Sequence, residues 1–166
     1  METIFALASA QGKAGVSVIR VSGPKAFDVG RSLCGTPPPP RTSAVRVIKS
    51  RDGGYLDQAL VLSFEAGASF TGEDVVEFHV HGSIAVVGAV MTCLSEFDGV
   101  RLAEAGEFTR RALENERLDL AQVEALSDLI ESETEAQRIQ ALRLFDGALG
   151  QRVSDWRKDL LQAAAF

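Results

Sequence analysis

Hydrophobic and polar residues alternate with a period of two in several short stretches of the chain. The clearest stretch is 75–81, where one face carries Val75, Glu77, His79 and His81. Successive side chains of a strand point to opposite faces, so this stretch is predicted to be a strand with a second, apolar face. The apolar face is formed by Val76, Phe78 and Val80. The polar face holds both histidines of the protein, and we therefore expect it to serve a function.

Five other segments are predicted to be strands from their apolar content and alternation. They are Thr3–Ala8, Val16–Val21, Ser43–Lys49, Tyr55–Phe64 and Val100–Ala103. A hairpin turn over residues 51–54, which contains two glycines, is predicted between the third and the fourth. In the second segment Arg20 shares a face with valines, so its charge needs a partner or a ligand.

Apolar positions at helical spacing predict helices between and after these strands. One is predicted to begin at Ser22-Gly23-Pro24, with Pro24 at the first helical position. Others cover 83–97 and 107–113. From Asp119, an N-cap with Gln122 at the capping-box position, the remaining residues are predicted to be helical, with interruptions at Gly147 and Gly150.

The order of these elements predicts an α+β fold, a mixed sheet with flanking helices, followed by the start of an α-helical domain. We place the first domain at 1–118 and the incomplete helical domain at 119–166. The helices of the second part are apolar on one face and need partners. We expect these to lie in a further part of the protein or in another chain.

The charge and the cysteine content of the chain argue against some classes of function. The net charge is −6, with +4 in residues 1–58 and −10 in the remainder, which argues against tight non-specific binding to nucleic acid by this chain alone. The only cysteines, Cys34 and Cys93, show no metal-ligand spacing and are expected to be reduced thiols in a cytoplasmic protein.

No apolar run is long enough to span a bilayer. Neither a phosphate-binding loop nor a dinucleotide-binding glycine motif is present.

The polar strand face allows three interpretations. Glu77, His79 and His81 are a possible metal site, a ligand-binding pocket floor, or a partly solvated sheet face. Three such residues span about 13 Å at ~3.3 Å per residue, too long for one ion without a bulge. Arg20 is suited to clamp a carboxylate or phosphate, or to pair with Glu77.

Three further arginines lie near the predicted end of the first domain. Arg110, Arg111 and Arg117 are expected on a solvated helix face, from which one could reach a pocket.

Four motifs together resemble one family, the MnmE (TrmE) tRNA modification GTPases, over nearly the whole chain. The motifs are Gly15-Val-Ser-Val-Ile-Arg-Val-Ser-Gly-Pro24, Thr71-Gly-Glu-Asp-Val-Val-Glu-Phe-His-Val-His-Gly82, Ala105-Gly-Glu-Phe-Thr-Arg-Arg-Ala112 and Asn115-Glu-Arg-Leu-Asp-Leu-Ala-Gln-Val-Glu-Ala125. The resemblance implies a tetrahydrofolate-binding-type first domain that dimerises and binds a folate one-carbon donor. The folate contacts of the family fall on Arg20, Glu77 and Arg117, the last being often lysine in the family.

The resemblance also implies partners and a reaction. In the family a homodimer works with the flavin-dependent protein MnmG (GidA) to add an aminomethyl-type group to carbon 5 of the wobble uridine of certain tRNAs. The folate is expected to be 5-formyl- or 5,10-methylene-tetrahydrofolate. K⁺ and Mg²⁺ act with GTP in a GTPase domain that is missing from this chain, so we expect no GTP hydrolysis, no catalytic residue and no metal site here. The alternatives are a metal-dependent enzyme using His79 and His81, and a purely structural dimerisation module.

Overall fold

Twelve regular elements make up the chain in a computed structural model that describes residues 2–164. The strands are β1 (Thr3–Leu7), β2 (Ser17–Ser22), β3 (Ser43–Lys49), β4 (Tyr55–Phe64), β5 (Val75–Val80) and β6 (Val100–Leu102). The helices are α1 (Ala26–Cys34), α2 (Ile84–Ser95), α3 (Glu107–Glu114), α4 (Leu120–Glu131), α5 (Glu135–Phe145) and α6 (Ala148–Ala164). They form two compact units, which divide after Arg111, within α3. The functional boundary that we placed after residue 118 stays a prediction, because compactness alone does not define a functional domain.

The first unit is built on one six-stranded sheet in the order β3-β4-β5-β2-β1-β6. Neighbouring strands are antiparallel except β1 and β6, which are parallel. The predicted α+β class with a mixed sheet and flanking helices is therefore confirmed. Ile19, Phe78 and Val61 are register partners across β2, β5 and β4, and all three are fully buried.

The core lies on one side of this sheet. Side chains of α1 and α2, including Val29, Leu33, Val90 and Leu94, belong to the same buried cluster as Phe78. Burying each such side chain contributes about 1.5–3 kcal/mol. Since register partners share a face, the residues that alternate with this core set lie on the opposite face of the sheet.

The start of α1 differs from the prediction. The helix begins at Ala26 after the N-cap Lys25, so Pro24 is not its first residue. Gly23 adopts a φ of +128° and accepts a hydrogen bond from the Ala26 N–H. The chain thus completes a turn first, and only glycine adopts that backbone conformation readily. Likewise β5 ends at Val80, which leaves His81 outside the strand.

The second unit contains α4, α5 and α6. Asp119 and Gln122 form the predicted capping box at the start of α4, and Thr134 with Gln137 forms another before α5. Gly147, with a φ of +86°, separates α5 from α6 as predicted. The interruption predicted at Gly150 is wrong, because this residue lies inside α6. The apolar residues along α6 are largely exposed, namely Leu149, Val153, Trp156, Leu160 and Leu161.

Within residues 2–164, none of the helices combines the length and the apolar character that a bilayer crossing requires.

Candidate functional site

The centre of the candidate site is an ion pair between two neighbouring strands. Arg20 of β2 and Glu77 of β5 are direct register partners, on the sheet face opposite the core. Arg20 Nε donates to Glu77 Oε1 at 2.7 Å, and the two side chains are 23% and 14% exposed. The sequence had left Arg20 with either a ligand or Glu77 as its partner, and the structure pairs it with Glu77.

The pair retains unused hydrogen-bonding capacity. Among the described residues no hydrogen-bond partner is present for the two terminal nitrogens of Arg20, each of which carries two donors. Glu77 Oε2 lies 3.4 Å from His79 Nε2, at the long end of hydrogen bonding. The pair therefore presents a donor edge, the two terminal nitrogens of Arg20, and an acceptor oxygen, Glu77 Oε2, and both side chains are partly open to solvent.

Aromatic rings border the arginine. The guanidinium carbon of Arg20 lies over the rings of Phe70 and Phe108, 5.5 Å from each ring centroid, which is within cation–π range. Phe70 comes from the loop between β4 and β5, and Phe108 is the second residue of α3. Sequence reasoning missed both rings, since neither position carries a periodic signal that links it to β2.

The same sheet face continues into β3 and β4 with apolar side chains. Leu62 is the register partner of Glu77, and Leu60 that of His79. Next to Leu60 on the edge strand lies Val45. Val45 is 57% exposed and Leu60 39%. Within the first unit, the site thus combines one ion pair and two rings, and an exposed apolar strip on the same sheet face consists of Val45, Val47 and Leu60.

Arg117, the third predicted site residue, belongs to the second unit. It is exposed and follows the C-terminal end of α3, where its backbone N–H donates to the Ala112 carbonyl oxygen at 2.8 Å. Its role in a site with Arg20 and Glu77 stays a prediction.

The two histidines contact different carboxylates. His79 lies beside Glu77, whereas His81 places its Nδ1 2.8 Å from Asp57 Oδ1 and donates its backbone N–H to Asp57 Oδ2 at 2.8 Å. Burial would raise the pKa of the Asp57 carboxyl, but the hydrogen bonds from His81 and the backbone outweigh it and hold that pKa below its ordinary value. Within residues 2–164, no group of three or more His, Cys, Asp or Glu side chains is placed to hold a metal ion.

A network of buried charges supports the ring-bearing segments. Arg111 is 4% exposed and binds Glu73, Glu107 and the Glu2 carbonyl oxygen at 2.9–3.0 Å. The expectation that Arg111 lies on a solvated face is therefore wrong. The Glu107–Arg111 spacing of i, i+4 was a signal for this pairing, since such residues are neighbours on a helix.

The pKa of the Glu107 carboxyl is strongly lowered in this network. Hydrogen bonds from Arg101 at 2.7 and 2.8 Å, then from the Glu104 backbone N–H and from Arg111, lower its pKa to about 2 although burial opposes the shift. The carboxylate is thus held ionised by its surroundings across the neutral range.

Comparison with known proteins agrees with the motifs of the sequence. The family model described as "GTP-binding protein TrmE N-terminus" matches residues 3–117. The chain belongs to this family. Curated relatives named tRNA modification GTPase MnmE align along the chain.

Three of these relatives show the extent of the match. The protein of Roseobacter denitrificans is 66% identical and that of Dinoroseobacter shibae 61%, each over 100% of this chain and 39% of the relative. The protein of Caulobacter vibrioides is 59% identical over 99% of this chain and 36% of the relative. The chain thus spans less than two fifths of the length of these relatives.

Proposed function

We propose that this chain is the folate-binding part of a tRNA-modifying GTPase. The observation that carries the proposal is the Arg20–Glu77 pair, with its open donor edge and its adjacent acceptor oxygen. Family membership supports the choice of a folate over other small molecules.

The chemistry of the pair fits the pterin end of a tetrahydrofolate. A pterin edge offers N–H donors next to a carbonyl oxygen. An ionised carboxylate such as Glu77 accepts from adjacent donors, and the terminal nitrogens of Arg20 donate to the carbonyl oxygen. Because Arg20 already neutralises Glu77, the pair favours this neutral edge over a second anion. Arg117 would then add positive charge for the glutamate tail.

In the whole protein, this function would supply the one-carbon unit for an aminomethyl-type group on carbon 5 of the wobble uridine. We propose 5-formyl- or 5,10-methylene-tetrahydrofolate as the donor and the flavin-dependent protein MnmG as partner, acting on tRNA in the cytoplasm. GTP hydrolysis with K⁺ and Mg²⁺ would belong to a domain outside this chain.

The proposal includes a homodimer. Its structural support is the exposed apolar strip of the outer sheet face, which a second copy would remove from water. The strip consists of Val45, Val47 and Leu60. Sedimentation equilibrium of the wild type and of Val45→Glu tests it, and a monomeric wild type would contradict the homodimer.

Titration calorimetry of the 166-residue chain with 5-formyltetrahydrofolate tests the ligand. Glu77→Gln and Arg20→Ala should each weaken binding at least tenfold, because hydrogen bonds to charged groups contribute about 1.5–3 kcal/mol. Glu135→Gln and Arg138→Ala are matched controls, since these residues form an exposed Arg–Glu pair at the same 2.7 Å. Unchanged affinity in both site variants would refute the site. No binding by a dimeric wild type would favour the purely structural dimerisation module.

A further inference from the structure

The guanidinium of Arg20 is constrained by more than its ion pair. Its Nε is engaged by Glu77, and its central carbon lies 5.5 Å from the centroids of both Phe70 and Phe108. The edge that remains open carries the two terminal nitrogens. A guanidinium held in this way presents its donors in one fixed plane, as two-point binding of planar groups requires.

Both rings are themselves anchored by the polar network. In the loop that carries Phe70, the hydroxyl of the preceding Ser69 donates to the Glu73 carbonyl oxygen at 2.6 Å. The Glu73 carboxylate in turn binds Arg111 of α3 at 3.0 Å. The residue before Phe108 is Glu107, which also binds Arg111. Arg111 therefore joins the two segments that supply the rings.

We propose that Phe70 and Phe108 are positioning residues of the candidate site, which hold the Arg20 guanidinium with its terminal nitrogens open toward a planar ligand edge. The proposal rests on the proposed function for the identity of that ligand. Its physical basis is preorganisation. Ordering the arginine in the free protein removes an entropy cost that would otherwise reduce ligand affinity.

Side-chain NMR of the isotope-labelled 166-residue chain tests the constraint without any ligand. Leucine keeps apolar bulk but lacks a ring face, so Phe70→Leu and Phe108→Leu should each speed rotation about the Arg20 Nε–Cζ bond. We expect an increase of about two- to fivefold, the equivalent of one partly exposed cation–π contact. Phe97→Leu is the matched control, because the Phe97 ring lies 5.2 Å from the guanidinium carbon of Arg51. That variant should speed rotation at Arg51 and leave Arg20 unchanged.

Titration with 5-formyltetrahydrofolate then measures the consequence for binding. Phe70→Leu and Phe108→Leu should lower affinity by about two- to fivefold, whereas Phe108→Tyr, which keeps the ring face, should restore it. If Phe108→Leu does not fold, the Arg20 rotation rate and the folate affinity are both measured in Phe70→Leu. Unchanged Arg20 rotation in the leucine variants, or wild-type affinity despite faster rotation, would overturn the proposal. Absence of folate binding by the wild type would instead refute the proposed function, and the rotation rates would still decide whether the rings hold Arg20.

Discussion

Arg111, which is buried, and Glu73, which is half-buried, form an ion pair in which one terminal nitrogen of the arginine lies 3.0 Å from both carboxylate oxygens. Thirty-seven residues lie between them in the sequence, so their contact fixes α3 to the loop that follows β4. The Ser22 hydroxyl donates to the same carboxylate at 2.6 Å, which extends the connection to the end of β2.

Removing this arginine should strongly destabilise the first unit. We expect Arg111→Met to lower the free energy of unfolding by about 3–5 kcal/mol, because the Glu73 carboxylate, whose side chain is only 11% exposed, is then left without its cation. Hydrogen exchange of β2 amides, followed by mass spectrometry, measures the loss.

The double variant Arg111→Met/Glu73→Gln should recover part of that loss, since it also removes the unpaired negative charge of Glu73. Arg31→Met serves as the control, because its pair with Asp28 is exposed and 3.6 Å long and should contribute no more than about 1 kcal/mol. Equal effects of Arg111→Met and Arg31→Met would contradict the buried-pair interpretation.

Glu107 should make the stability of the first unit dependent on acid pH. Its pKa is about 2 in the folded chain, against about 4.3 when unfolded. A lowered folded pKa means that the stabilisation is complete above the unfolded value and is lost as pH falls toward the folded one. Wild-type stability should therefore drop between about pH 5 and pH 2, as measured by urea unfolding.

In Glu107→Gln this part of the pH dependence should disappear. The variant should be clearly less stable than wild type at pH 6, and the difference should narrow as pH approaches 2. The exposed Glu65→Gln variant should follow the wild-type curve. A constant difference between Glu107→Gln and wild type at all pH values would show that the carboxylate charge is not the cause.

Two glycines around the start of α2 should respond in opposite ways to alanine. A Cβ at Gly82 would clash with the Ala14 carbonyl oxygen, which is a backbone atom and cannot simply rotate away. Gly82→Ala should therefore cost about 1–3 kcal/mol, the range for overpacking. A Cβ at Gly88, inside α2, meets no atom within 4 Å, so Gly88→Ala should stabilise the helix by about 0.5–1 kcal/mol.

Thermal unfolding followed by circular dichroism compares the two variants directly. Because both substitutions add the same methyl group, any shared effect on the unfolded chain largely cancels in the comparison. Similar melting temperatures for Gly82→Ala and Gly88→Ala would contradict the close approach of Gly82 and Ala14.

Sequence periodicity was sufficient to predict the strands that carry the site. Alternation placed Glu77 on the polar face of its strand and Arg20 on a face shared with valines, and charge complementarity indicated that the two could pair. It was not sufficient for Phe70 and Phe108, because a loop and a helix bring these rings to β2 from distant positions in the chain. The same limit explains the error at Arg111, which is buried against Glu73 and the Glu2 carbonyl oxygen from distant parts of the chain as well as against Glu107 of its own helix.

Proline and glycine in the sequence also gave wrong predictions of where helices begin or break. Pro24 is a good first residue of a helix, but the turn at Gly23 delays the helix start to Ala26. Gly150 was predicted to interrupt a helix from composition alone, whereas α6 continues through it.

The pairing of β2 with β5 decides more than the shape of the sheet. Arg20 and Glu77 meet only because their strands align residue for residue. A slip by one position would turn one member of the pair toward the opposite side of the sheet, among the apolar side chains. Affinity for the proposed folate would therefore also report whether the two strands are correctly aligned, because a compact but misaligned chain would lack the Arg20–Glu77 pair.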